Sequence, residues 1–84
     1  MAARDKAEGY IEALGGADNI KDIEGCITRL RGTLEDPGKI DKRKLRQLGA
    51  TGQPIIRGNG VQVVVGTHAE IIGTEINRIL KSRG

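Results

Sequence analysis

Aromatic residues are almost missing from this chain: it has no tryptophan, no phenylalanine and one tyrosine, Tyr10, in 84 residues. One ring cannot make a stacking platform for nucleic-acid bases, and isoleucine, valine and leucine must fill the core. Cysteine is as scarce. The lone Cys26 excludes an internal disulfide framework, and together with the lone His68 it supplies too few ligands for an ordinary structural zinc site, so neither metal nor cofactor is expected. No apolar run approaches the ~20 residues that cross a bilayer, and Met1–Lys6 lacks the apolar region of a signal peptide. The expectation is a soluble chain in a reducing cytoplasm. What the chain has instead is charge. Charged residues make up 30% of it, and the formal net charge of +3 favours anionic partners: phosphates, acidic protein surfaces or nucleic acid.

The length suits a single domain over residues 1–84 with a core at about 7–80, a size that buries only ~60–65% of the surface of the unfolded chain. Ala7, Tyr10, Ile11 and Leu14 fall at helical spacing, and Gly15 and Gly16 stand where a helix closes. Ile20 and Ile23 predict a brief strand. Thr28 to Leu34 alternates as a half-buried strand, ended by the turn-forming residues Glu35, Asp36, Pro37 and Gly38. Asp41 reads as the N-cap of a short helix that presents Ile40, Leu45 and Leu48 inward and Lys42, Arg43, Lys44 and Arg46 outward, with Gly49 closing it. Ile55–Ile56 and Val61–Val65 predict a hairpin, with Asn59 and Gly60 supplying the positive φ angles of a type I′ turn. Thr67 and Glu70 have the spacing of a capping box before a last helix whose buried stripe is Ala69, Ile72, Ile76 and Ile79. The fold class is therefore α+β: a helix-strand-strand-helix-strand-strand-helix sandwich with a four-stranded antiparallel sheet.

Chemistry concentrates in Gly25-Cys26-Ile27-Thr28-Arg29-Leu30-Arg31. Thiolate is the attacking form of cysteine, and cationic neighbours favour it. On a strand, Arg29 and Arg31 share one face while Leu30 and Leu34 take the other. Two guanidinium forks beside a nucleophile suit a phosphoryl group better than an apolar ligand. Gly58-Asn59-Gly60 has an ordinary hairpin explanation, because neither a P-loop lysine nor a dinucleotide fingerprint follows it.

Leu14-Gly15-Gly16, Asn19-Ile20, the Cys26 to Arg31 string, Leu48-Gly49-Ala50, Gly58 to Gln62 and Gly66-Thr67 together resemble the IIB domain of the glucose and N-acetylglucosamine branch of the bacterial sugar phosphotransferase system, over roughly residues 8–80. The resemblance implies that Cys26 receives a phosphoryl group from a phosphohistidine of a IIA protein and passes it to a sugar, glucose or N-acetylglucosamine, held by the membrane IIC permease. It gives Arg29 and Arg31 a part chiefly in the onward step. Thr28 and Ile27 are further candidates for holding the phosphoryl group, through the Thr28 hydroxyl and an anion-binding nest of backbone N–H groups around Cys26. The chain would work in the cytoplasm, at the inner face of the membrane through IIC. Gly25 and Gly32 are smaller than that family's pattern leads one to expect, and the expectation is a looser local backbone. Nothing in the sequence resembles the hydrophobic IIC portion, so the expectation is either a free-standing subunit or an excised domain, with the start slightly favouring the former. Two other functions stay open: a regulatory interaction domain switched by cysteine phosphorylation, with a transcriptional regulator as partner, and a basic nucleic-acid-binding module, against which the missing aromatics count.

Overall fold

Backbone closures at glycine set the lengths of the first two helices in the computed structural model, which describes residues 3–83. Helix α1 (Ala3–Ala13) ends where the Gly15 N–H reaches back to the Glu12 carbonyl and the Gly16 N–H to that of Ile11, a Schellman closure with both glycines at positive φ. Helix α2 (Lys42–Gln47) starts at Asp41, whose Oδ1 accepts from the Lys44 N–H at 3.0 Å, and closes in the same way at Gly49. Helix α3 (Ala69–Arg83) is the longest. It begins at Ala69, so Thr67 lies one residue too early for the expected capping box, and among the described residues neither the Thr67 nor the Glu70 side chain makes a capping bond.

Strands β1 (Ile20–Cys26), β2 (Arg29–Leu34), β3 (Thr51–Arg57) and β4 (Gly60–Val64) form one antiparallel sheet in the order β1-β2-β4-β3. Element order and sheet match the α+β sandwich read from the sequence. Two hairpins make up the sheet, and pairing of β2 with β4 joins them. The second hairpin corrects the expected turn. Its central residues are Gly58 and Asn59, Gly60 already pairs with Arg57, and only Gly58 has positive φ, at +58°. That is the pattern of a type II′ turn, where glycine is wanted at the first central position. The Asn59 carbonyl then accepts from the Leu34 N–H at 2.8 Å, tying this turn to the end of β2.

The helices cover one face of the sheet, with α3 across β1 and β2 and α1 against α3. Leu14, Leu30, Leu34, Leu45, Ile76 and Tyr10 are the largest side chains buried in the aliphatic core. Buried Asn19 stitches three segments together: its Nδ2 donates to the carbonyls of Leu14 (2.8 Å) and Asp36 (3.0 Å), and its Oδ1 accepts from the Asp36 N–H (2.9 Å). The opposite face of the sheet is open. Edge strand β3 is irregular between Thr51 and Ile55, contains Pro54, and leaves Ile55 and Ile56 exposed.

Gly25 does not loosen the backbone; it lets α3 come close. A Cβ on Gly25 would overlap the Ala69 carbonyl and stand 2.8 Å from the Glu70 Cα, and one on Gly73 would stand 2.9 Å from the Gly25 Cα. Helix and strand therefore meet backbone to backbone, and Asn77 Nδ2 fixes the crossing by donating to the Ile23 carbonyl at 2.8 Å.

Candidate functional site

Cys26 is the last residue of β1 and Arg29 the first of β2, and the two are direct partners across the antiparallel pair. Partners of this kind place their Cβ atoms about 4.5–5.5 Å apart on one face. Arg31 lies two residues further along the same face, while Leu30 and Leu34 point into the core, as the alternation predicts. Cys26, Arg29 and Arg31 are all exposed.

The turn between them, Ile27–Thr28, begins the hairpin one residue later than expected, so Thr28 belongs to the turn and not to β2. Ile27 has φ +55°, the only positive φ at a non-glycine among the described residues. A β-branched residue strains in this region by roughly 1–2 kcal/mol. In the other hairpin the equivalent position is Gly58, which carries no such strain. The Ile27 side chain is 73% exposed, so burial does not offset the strain. What holds the turn is the Thr28 carbonyl, which accepts from the N–H groups of Val65 (2.8 Å) and Gly66 (3.2 Å) on the segment leading into α3. Strain of this kind persists where the surroundings over-determine the backbone, and it gathers at functional sites.

Cys26, Ile27, Thr28, Arg29 and Arg31 line one open depression of about 360 Å³. Among the described residues no carboxylate lies within 4.0 Å of either arginine, and the Thr28 hydroxyl has no protein partner. The one side-chain bond that Arg29 makes is from Nη1 to Oε1 of Gln62 on β4, at 3.2 Å. A nucleophilic sulfur thus stands beside two cations that no acid neutralises, an arrangement able to receive an anion. His68 is exposed on the connection to α3 and plays no part in this cluster. Among the described residues no group of three His, Cys, Asp or Glu side chains is placed to hold a metal, and no helix is long and apolar enough to cross a membrane.

Gln62 is the site residue that sequence reasoning left without a role. Its position between Val61 and Val63 marks it as facing the same way as the arginines, but its partner depends on the β2–β4 register.

Comparisons with known proteins point to one family. The family model for "phosphotransferase system, EIIB" matches residues 8–41, which include the cysteine and both arginines. Over 75 residues the chain is 45% identical to an N-acetylglucosamine-specific EIIB component of the phosphotransferase system from Streptomyces coelicolor, covering 89% of this chain and 96% of that protein. It is 43% identical over 74 residues to an N-acetylglucosamine-specific EIICBA component from Klebsiella pneumoniae, which is 88% of this chain but spans only 11% of that relative. An alpha-glucoside-specific EIICB component from the same organism is 43% identical over 77 residues, covering 90% of this chain and 14% of its own length. Among solved structures, one domain of a phosphotransferase-system IIabc component from Clostridium difficile shares the fold at a TM-score of 0.70 and 24% identity, over 98% of this chain and 82% of that one.

Proposed function

Because the chain belongs to the EIIB family of the phosphotransferase system, we propose that it carries a phosphoryl group on Cys26, taken from a phosphohistidine of a IIA protein and delivered to a sugar held by a membrane IIC permease. The observation that carries this reading is the pairing of Cys26 with Arg29 across the hairpin, with Arg31 on the same face and no carboxylate at either guanidinium among the described residues. In the first step the Cys26 thiolate attacks phosphorus in line; an S–P bond forms, the P–N bond breaks, and its electron pair returns to the donor imidazole. In the second, a sugar hydroxyl attacks the same phosphorus, the S–P bond breaks to regenerate the thiolate, and the hydroxyl proton passes to a base on the acceptor side. Transfer of this kind depends on positioning and on stabilising charge spread over the equatorial oxygens. Arg29 and Arg31 supply that charge, chiefly in the second step, and the Thr28 hydroxyl and the N–H groups of the Ile27–Thr28 turn are further donors.

The sugar is of the glucose and N-acetylglucosamine class; the relatives' names print N-acetylglucosamine and alpha-glucoside. The protein acts at the cytoplasmic face of the membrane by docking to IIC. Intact mass after incubation with phosphorylated IIA tests the first step: wild type gains one phosphoryl group and Cys26→Ser gains none. No gain by wild type with several competent donors would overturn the reading. Cys26→Ser also separates transfer from a purely regulatory switch, since only a carrier loses sugar phosphorylation outright. Arg31→Leu, an exposed position, slows onward transfer by roughly a hundredfold while the melting temperature stays close to that of wild type.

A further inference from the structure

Arg29 and Arg31 are surface side chains whose long stems sweep a wide volume in solution, yet the proposed chemistry needs their forks kept on the face that carries the sulfur. Something must orient them without consuming their charge. On the open face of the sheet the row that contains Arg31 runs Glu24, Arg31, Gln62, Ile55 across the four strands, each a direct partner of the next. Gln62 is half-buried there, opposite Arg31, and its Oε1 accepts diagonally from Arg29 Nη1 at 3.2 Å. It therefore touches the position of one arginine and holds the fork of the other.

We propose that Gln62 is a positioning residue for phosphoryl transfer, fixing the fork of Arg29 over the open face of the sheet through a neutral acceptor; this rests on the carrier reading of Cys26. The chemistry of the amide explains the choice of residue. Carboxylates are the usual acceptors for guanidinium, and a bidentate pair would hold Arg29 more firmly, but it would also neutralise the cation that the phosphoryl oxygens need. An amide oxygen takes one N–H and leaves the full positive charge and the remaining donors of the fork free for an anion. Across from Arg31, a carboxylate at this position would draw on both guanidinium groups at once. The carboxylate already in the row, Glu24, stands on the far side of Arg31 and is not within 4.0 Å of it.

Three variants test the assignment: Gln62→Met, which keeps the volume and removes the acceptor; Gln62→Glu, which keeps the acceptor and adds a charge; and Gln62→Ala. For each, Cys26 phosphorylation by a phosphorylated IIA protein is read by intact mass, onward transfer to sugar by kcat and KM, and folding by thermal melting. Gln62→Met and Gln62→Ala are expected to lower kcat of the onward step by roughly three- to tenfold, the effect of one neutral hydrogen bond. Gln62→Glu lowers it further, by tenfold or more. All three retain the wild-type melting profile within a few degrees. A residue that merely fills space would be rescued by methionine. Wild-type kcat in both Gln62→Met and Gln62→Glu overturns the proposal. If wild type itself takes no phosphoryl group on Cys26, the carrier reading fails, and that outcome is separate from a failure of Gln62.

Discussion

Gly25→Ala is the sharpest test of how α3 meets the sheet. The added Cβ would overlap the carbonyl of Ala69 and lie 2.8 Å from the Cα of Glu70, all backbone atoms of the first turn of α3, so no side chain can rotate out of the way. The φ of Gly25 is not positive, and alanine is therefore not strained by the backbone itself. Overpacking costs about 1–3 kcal/mol, and a backbone obstacle places this case near 3. The lower entropy of the unfolded alanine chain offsets about 0.5–1 kcal/mol. The net loss is about 2 kcal/mol, against a total stability for an 84-residue domain of about 4–13 kcal/mol. For a domain of this size each kcal/mol moves Tm by about 4–8 °C, so the midpoint falls by about 8–16 °C. Thermal melts followed by circular dichroism read it directly. Gly73→Ala meets the same contact from the other side, so the double variant should lose less than the sum of the two, because the first methyl has already moved the helix. A Gly25→Ala midpoint within two degrees of wild type would refute the close approach and the reasoning built on it.

Other perturbations follow from single features. Asn19→Ala removes three hydrogen bonds to buried or half-buried backbone and costs about 3 kcal/mol in urea unfolding; Asn19→Asp also destabilises, since a carboxylate cannot donate to the Leu14 and Asp36 carbonyls. Ile27→Gly relieves the strained turn and, after the entropy of glycine, stabilises by about 0.5–1 kcal/mol, read as a higher urea midpoint; a lower midpoint would mean that the exposed isoleucine is held by contacts rather than strained. Tyr10 is fully buried, and burial raises its phenol above the usual value of 10.0. The unfolded chain ionises first, so this contribution to stability is complete below about pH 10 and is lost as pH rises beyond it; Tyr10→Phe flattens that part of the alkaline profile.

The sequence made some of this legible and hid the rest for physical reasons. Period-two alternation in Arg29-Leu30-Arg31 was enough to separate core from site, because the hydrophobic face of a strand leaves little choice of register. Asp41 and the glycines at 15, 16 and 49 marked helix ends through local bonds that need only a few neighbouring residues. Gln62 and Arg29 are 33 residues apart, and the pairing of β2 with β4 alone makes them neighbours. Gly25 and Gly73 lie further apart still, and a small residue in sequence does not say which backbone will approach it. The Ile27 conformation runs against local preference altogether, since isoleucine is among the residues least suited to positive φ. The second turn lies one residue earlier than the sequence predicts for a related reason: Gly58, Asn59 and Gly60 all tolerate turn conformations, and the cross-strand pair Arg57–Gly60 decides between them.

The irregular outer strand β3 bears on how the protein stays apart from copies of itself. A sheet open on one face with two free edges offers a template for a further strand, and the adjacent exposed pair Ile55–Ile56 would make such an addition adhesive. Pro54 interrupts the row of donors immediately before that pair, and Arg57 places a charge immediately after it. On the other edge, β1 carries Lys21, Asp22 and Glu24 in solvent. On the carrier reading proposed above, a chain that meets one partner and leaves for another keeps its Cys26 hairpin uncovered only if its borders resist growth, and the bracket of Pro54 and Arg57 around two isoleucines guards the more adhesive of them.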